Sequence, residues 1–217
     1  MASKTIKENE IPSLMRAAQQ TNFGNVREVL TLSDNVPVPR QLSATQILIR
    51  AHAASFNPAD WKILYGNLSF VVRYSWPHIP GSDVAGVVVD VGSAVKRFHV
   101  GDHVYGNVGM KAGAFAEYVR SEESYFALKP NNLTMEEAAG VPLACDTAYQ
   151  VLFRTASPPV SKGTKLFICG GSTACGLFAI QLAKAVGASV VTTASQRNLQ
   201  LLKRLGLTDL YQFVNDF

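Results

Sequence analysis

The sequence predicts an α/β protein in two parts, a partly open β-barrel followed by an incomplete parallel sheet. Three observations carry that reading. Before residue 130, short β-type runs are punctuated by Gly, Pro and Asn, the pattern of a small barrel. After it, apolar strand-like runs alternate with amphipathic helical stretches, the pattern of parallel strands with helical crossovers. Between the first of these strands and its helix lies a turn of small residues, Gly170–Gly176 (GGSTACG).

In the first part, Arg27–Leu32 (REVLTL) and Gln46–His52 (QILIRAH) alternate as half-buried strands do. Val87–Val91 (VVVDV), Asp102–Tyr105 (DHVY), Gly113–Val119 (GAFAEYV) and Tyr125–Leu128 (YFAL) continue the series. Pro58–Tyr65 (PADWKILY) reads as a short helix with Pro58 in its first turn and Asn57 as its cap. In the second part, Thr134 and Glu137 form a capping-box pair opening a helix that Pro142 interrupts, and a further helical run covers Thr147–Arg154. Then come a strand at Lys165–Cys169, the small-residue turn, a helix at Leu177–Val186 ended by Gly187, and a strand at Ser189–Ala194. A helix at Ser195–Leu205, capped by Ser195 and stopped by Gly206, and a third strand at Asp209–Val214 complete the series. Strand–turn–helix–strand–helix is a right-handed parallel unit of Rossmann type. The expected organisation is a mobile extension over 1–14, a barrel domain over 15–130 and a partial nucleotide-fold domain over 131–217.

Composition bounds the function. Of 217 residues, 47% are apolar and 17% charged, enough for a buried core. A net charge of +4 with no basic run argues against nucleic acid and fits a binder of small anions. Cys145, Cys169 and Cys175 have no metal-type spacing and are odd in number, which points to a reducing compartment. No apolar run reaches membrane-span length, and the N-terminus has no apolar signal core. The cytosol is the expected address, with a mitochondrial one left open.

In a dinucleotide fold the first strand–helix turn brings backbone N–H groups and the positive end of a helix dipole to a pyrophosphate. Here Gly171 and Gly176 take the first and third glycine places of G-x-G-x-x-G, and Thr173 takes the second. A β-branched residue approaches phosphate less readily, but the hydroxyls of Thr173 and Ser172 could donate to it. Gly171, Ser172, Thr173, Ala174, Cys175 and Gly176 are therefore the candidate cofactor turn; the alternative is an ordinary tight turn without a ligand. At the end of the second strand, where an NAD site places a carboxylate, stand Ser195, Gln196, Arg197 and Asn198. Arg197 offers a fork for a 2′-phosphate, so NADPH is favoured over NADH. The alternative reading is a capping Ser195 and a solvated Arg197. Cys175, at a helix start, is either a reactive thiol or a small filler.

Several stretches resemble, in order, the medium-chain dehydrogenase/reductase superfamily in its zinc-independent quinone oxidoreductase and enoyl reductase branch. They are MRAAQQTNFG (Met15–Gly24), NPADWKILYG (Asn57–Gly66), PGSDVAGVVVDVG (Pro80–Gly92), FHVGDHVYG (Phe98–Gly106), GAFAEYV, EEAAGVPLACDTAYQVL (Glu136–Leu152) and the segment Gly170–Ser195. NPADWK and GGSTACG look most like the enoyl reductases that act beside fungal-type polyketide synthases. The resemblance implies a GroES-like barrel domain, NADPH, and reduction of an α,β-unsaturated carbonyl by hydride transfer, the substrate being an enone, a quinone or an enoyl thioester. Zinc-dependent relatives carry Cys where Asn57 stands and His where Ser82 stands, so no metal is expected. His52, His78, His99 and His103 match no ligand position, and Asp83 fills the family's structural acidic place. Asn57, Asp60, Lys62 and Thr147 are implied cofactor-side positions. Lys62, Thr147 and Tyr65 are the candidate donors to the substrate carbonyl; the alternatives are a solvated helix lysine and, for Thr147, a helix cap. Trp61, Phe70 and Trp76 either wall a substrate cleft or pack in a core. Relatives are often dimers, so a homodimer is an expectation. The family fold continues beyond this length, which sets a second hypothesis beside the reductase: a non-catalytic fragment or partner subunit that binds nucleotide weakly.

Overall fold

The computed structural model describes residues 11–67, 69–70, 73–109 and 113–207, and the backbone of 210–213. The chain divides into two compact units, before and after the Leu143–Ala144 bond.

The first unit opens with a strand pair, β1 (Leu14–Gln20) and β2 (Leu30–Pro37), antiparallel with a register shift between Met15 and Ala17. Sequence reading missed β1, because MRAAQQ has no clean two-residue alternation. Ile11 and Met15 are buried together with Val36 and Leu48; residues 1–10 of the expected mobile extension lie outside the described residues. The strand expected at Arg27–Leu32 is corrected. Its first half is one helical turn, α1 (Val26–Val29), because Asn25 accepts the Arg27 N–H on its side chain (3.0 Å) and the Val29 N–H on its carbonyl (3.1 Å).

The main sheet is antiparallel, in the order β6–β3–β4–β5–β7. Its strands are β3 (Gln46–Ser55), β4 (Asp83–Val91), β5 (His103–Asn107), β6 (Tyr118–Glu122) and β7 (Phe126–Leu128), with α2 (Pro58–Leu64) between β3 and β4. The recorded pairings leave it open rather than closed, as a partly open barrel requires. β4 is longer than the expected Val87–Val91, and the strand expected at Gly113–Val119 is mostly not one. Ala114 and Phe115 donate to Gly81 and Pro80, and Ala116 makes a lone bridge to Ala17, so regular pairing starts only at Tyr118. Ile47, Ile49, Val84, Val88, Val104 and Phe126 fill one core. α3 (Met135–Ala139), boxed by Thr134 and Glu137 as expected, lays Ala138 and Ala139 on Ala85 of the sheet.

Pro142 does not merely interrupt a helix; it opens one, α4 (Pro142–Tyr149), as a first-turn proline can. A π-helical stretch follows at Gln150–Thr155. The second unit then builds a parallel sheet in the order β10–β9–β8 from β8 (Lys165–Ile168), β9 (Ser189–Ser195) and β10 (Leu210–Phe213). α5 (Ala174–Ala185) and α6 (Leu199–Arg204) connect them. Ile180, Ala183, Val190, Ala194 and Leu202 form its core. Gly187, at φ +83°, ends the crossover helix in a backbone conformation that side chains avoid. This is the 3-2-1 half of a doubly wound sheet.

Candidate functional site

In the second unit the chain leaves β8 and turns at Gly170 (φ +79°). Gly171 lies against β9: its N–H donates to the Thr193 carbonyl (3.0 Å), and a Cβ there would fall 2.2 Å from Thr192 Oγ1. At Gly176 a Cβ would fall 2.4 Å from the Gly170 carbonyl oxygen. The two glycines therefore permit close packing of turn on strand and of turn on helix. Thr173 has a different task from the one expected. Its Oγ1 accepts from Gly176 N–H (3.1 Å) and donates to the Gly170 carbonyl (2.8 Å). Its single hydroxyl hydrogen is thus committed within the protein and is not offered to a phosphate. That cap is also why α5 starts at Ala174, three residues before the expected Leu177. The N–H groups of Ser172, Ala174 and Cys175 have no protein acceptor among the described residues. They cluster at the positive end of a 12-residue helix.

Ser195 and Asn198 adjoin this turn through the Asn198 side chain. Ser195 does not cap α6. Its Oγ accepts a hydrogen from Asn198 Nδ2 (3.2 Å), and a short 3-10 turn at Gln196–Asn198 intervenes before the helix. The same Asn198 amide nitrogen donates to Ser172 Oγ (3.0 Å). This link between residues 26 apart has no signature in the sequence. Arg197 is exposed and forms no ion pair among the described residues. The Cys145, Cys169 and Cys175 thiols are all free.

In the first unit, α2 and the start of β4 hold a buried polar cluster. Asp60 Oδ2 accepts the Asn57 N–H at 2.6 Å, closing the helix start from inside. The Asn57 amide donates to Ser55 Oγ (3.1 Å) and Asp83 Oδ2 (2.9 Å). Asp60 Oδ1 and Ser82 Oγ are buried without a protein partner, and both residues line a cavity of about 40 Å³ with His78 and Asn107. Burial pushes the Asp60 carboxyl from an ordinary 3.8 up to about 6; the Asn57 N–H opposes that rise and Asp83 adds to it. Burial likewise pushes the Asp83 carboxyl up, against the hydrogen bonds it accepts, and pushes the His78 imidazole down.

The raised Asp60 has a consequence for stability. The fold favours its neutral form, so its contribution is complete below about pH 4 and is lost as pH rises through about 6. The loss amounts to about 3 kcal/mol at most. Asp60→Asn is expected to raise the urea midpoint at pH 7.5 and to flatten its change between pH 4.5 and 7.5. A variant whose midpoints track those of the parent at both pH values would refute this.

Lys62 is exposed on α2, its Nζ 5.8 Å from the Trp61 ring centre. Trp61 and Tyr65 meet edge to face at 6.3 Å. Trp61, Tyr65, Phe70 and Trp76 are exposed, between 39% and 84%, and Trp76 packs edge to face on Phe23 at 5.0 Å. Thr147, in the second unit, is exposed near the middle of α4 and so is not a helix cap. At the places where zinc-dependent relatives carry ligands, Asn57 presents amide hydrogens rather than lone pairs and Ser82 a hydroxyl. Among the described residues no group of three or more His, Cys, Asp or Glu side chains converges as a metal site needs. Among the described residues no helix is long and apolar enough to cross a membrane.

Residues 43–131 match the alcohol dehydrogenase GroES-like domain. In sequence, a parallel unit with a glycine turn follows that domain. The chain is 44% identical over 214 residues to 2-methylene-furan-3-one reductase of Solanum lycopersicum, covering 94% of this chain and 54% of the relative. It is 43% identical to the NADPH-dependent alkenal/one oxidoreductase of Arabidopsis thaliana chloroplasts, covering 90% of this chain and 52% of the relative. The quinone oxidoreductase of Coxiella burnetii superposes with a TM-score of 0.76 at 35% identity, over 92% of this chain and 62% of that one. The chain belongs to the medium-chain dehydrogenase/reductase superfamily, in its quinone oxidoreductase branch. It spans about half the length of the curated relatives it matches.

Proposed function

We propose that the chain is part of an NADPH-dependent reductase of α,β-unsaturated carbonyls that works without zinc. The observation that carries the cofactor is the start of α5, where three N–H groups lack protein acceptors among the described residues and Asn198 links the turn at Ser172 to Ser195 at the end of β9. No carboxylate stands at the end of β9 to hold a ribose 2′-hydroxyl. Gly171, Ala174, Cys175 and Gly176 would line the pyrophosphate, and Ser172, Ser195 and Arg197 the 2′-phosphate, with Asn198 bonded to the two serines. Bound there, NADPH supplies the hydride that reduces a carbon–carbon double bond conjugated to a carbonyl.

The protein's part is to hold the substrate oxygen as negative charge gathers on it, and hydrogen-bond donors do that in place of a metal. Lys62 offers an ammonium on an exposed helix face beside Trp61 and Tyr65, which suits a flat, apolar, conjugated substrate. Thr147 offers a hydroxyl on α4. The names of the two plant relatives, an alkenal/one oxidoreductase and a furanone reductase, favour an enone over a quinone or an enoyl thioester. The free thiols favour a reducing compartment, which we take to be the cytosol.

A thermal-shift titration with NADPH and NADH in EDTA tests the cofactor. A ligand that binds only the folded state raises the melting temperature by mass action. NADPH is expected to give the larger shift. No shift at millimolar NADPH would favour the non-catalytic reading instead. In the active protein, Lys62→Met is expected to lower kcat/KM for a simple enone about 100-fold and to leave the NADPH Kd within about threefold. An unchanged kcat/KM would remove Lys62 from the chemistry.

A further inference from the structure

We propose that Asn198 is a positioning residue that sets the cofactor preference of the turn. By donating both amide hydrogens it turns the Ser172 and Ser195 hydroxyls outward, as a pair of donors for a 2′-phosphomonoester. The inference rests on the nucleotide reading above and assigns its selectivity to a residue that need not touch the phosphate.

The geometry is specific. Ser172 lies in the turn after β8, Ser195 ends β9, and Asn198 stands just before α6. One amide nitrogen is 3.0 Å from Ser172 Oγ and 3.2 Å from Ser195 Oγ. An NH₂ group has two hydrogens and no lone pair to accept with. Each hydroxyl oxygen therefore receives one hydrogen from Asn198 and must direct its own elsewhere. Neither hydroxyl donates to a protein acceptor among the described residues. Thr173, between them in the fold, differs because its hydrogen is held by the Gly170 carbonyl.

The turn thus presents two hydroxyl donors beside the free Ser172 N–H, and Arg197, next in the chain to Asn198, is exposed. A phosphomonoester has three acceptor oxygens and no need of an acceptor from the protein, and it matches that set. A ribose 2′-hydroxyl is best held by a carboxylate and finds none here. A carboxylate at position 198 would reverse the polarity. Both serine hydroxyls would swing inward to donate to it, and its charge would repel a phosphate.

The test compares 2′,5′-ADP with 5′-AMP, which differ only in the 2′-phosphate, by calorimetry on the whole chain. The parent is expected to bind 2′,5′-ADP at least about tenfold more tightly. A parent that binds neither, or that does not discriminate, overturns the cofactor reading and this inference with it. Asn198→Asp, similar in size, is expected to abolish the discrimination while leaving 5′-AMP within about threefold. Charge alone could do that, so Asn198→Ala supplies the uncharged control, with an expected loss of about three- to tenfold in the ratio. Ser172→Ala should cost less in the Asn198→Ala background than in the parent, because the hydroxyl is no longer oriented. A discriminating parent whose ratio survives Asn198→Ala overturns the role of Asn198 and leaves the cofactor reading standing. Melting curves confirm that each variant is folded.

Discussion

Asp83→Ala is expected to destabilise the first unit by about 4 kcal/mol, a large share of the stability of a small domain. Asp83 is 1% exposed and is the hub on which four parts of that unit meet. Its Oδ1 accepts from Asn107 Nδ2 (2.7 Å) on β5 and from the Leu143 N–H (3.1 Å) in the first turn of α4. Its Oδ2 accepts from Asn57 Nδ2 (2.9 Å) before α2 and from Ser55 Oγ (3.1 Å) at the end of β3. Alanine leaves these donors buried and unpaired, at about 1–3 kcal/mol for each that water cannot reach. Burial of the charge works the other way, since it pushes the carboxyl above its usual range. The hydrogen bonds make up most of that cost, so removing the carboxylate loses more than it relieves. Asp83→Asn should fall between, because one of its two polar atoms faces donors with hydrogens of its own. Urea unfolding of the three proteins at pH 7 measures the order. A cost below about 1 kcal/mol for Asp83→Ala would mean that the cluster repacks and is not a structural hub.

The second large effect is expected in the glycine turn, where two alanine substitutions should behave differently. At Gly171 the new Cβ would meet Thr192: Oγ1 at 2.2 Å, Cγ2 at 2.8 Å and Cβ at 2.9 Å. Thr192 is fully buried and its hydroxyl donates to the Ile168 carbonyl (2.6 Å), so it cannot swing away. At Gly176 the new Cβ would meet backbone: the Gly170 carbonyl oxygen at 2.4 Å and Gly171 Cα at 2.8 Å. Each substitution is expected to cost about 1–3 kcal/mol by overpacking. Each should also weaken NADPH binding at least tenfold by pushing the N–H groups of the turn out of line. Thr192→Ala should restore part of the loss in Gly171→Ala, because the two nearest obstacles are removed. It should restore nothing in Gly176→Ala, whose obstacles are main chain. Equal rescue of both would show that the turn yields as a whole and that close packing does not set its shape.

The parts of this fold that were legible in the sequence are those whose hydrogen bonds are local. α3 follows from Thr134 and Glu137 three residues apart, α2 from Asn57 and Pro58, and the parallel unit from apolar strands, a small-residue turn and helix-ending glycines. β1 was not legible, since its pairing with β2 and its bridge to Ala116 are long-range and its residues do not alternate. The Arg27–Leu32 run looked like a strand because its apolar residues alternate, yet Asn25 two places earlier draws its first half into a helical turn. The composition of the site was likewise legible, and its hydrogen-bond polarity was not. Thr173 and Ser195 have the hydroxyls that phosphate binding asks for, but one is spent on a cap and the other is turned by Asn198.

The sequence by itself therefore determined the two-part order of the chain, the place of the small-residue turn and the absence of a carboxylate at the end of β9. Each depends on residues within a few positions of one another, where propensity and steric size act directly. Only the tertiary structure decided which polar groups are free to meet a ligand. Asp83 gathers donors from Ser55, Asn57, Asn107 and Leu143, and Asn198 reaches back 26 residues to Ser172. The physical reason is that a polar side chain has a fixed number of hydrogens and lone pairs. Which of them are consumed inside the fold depends on neighbours that the chain brings near only by folding.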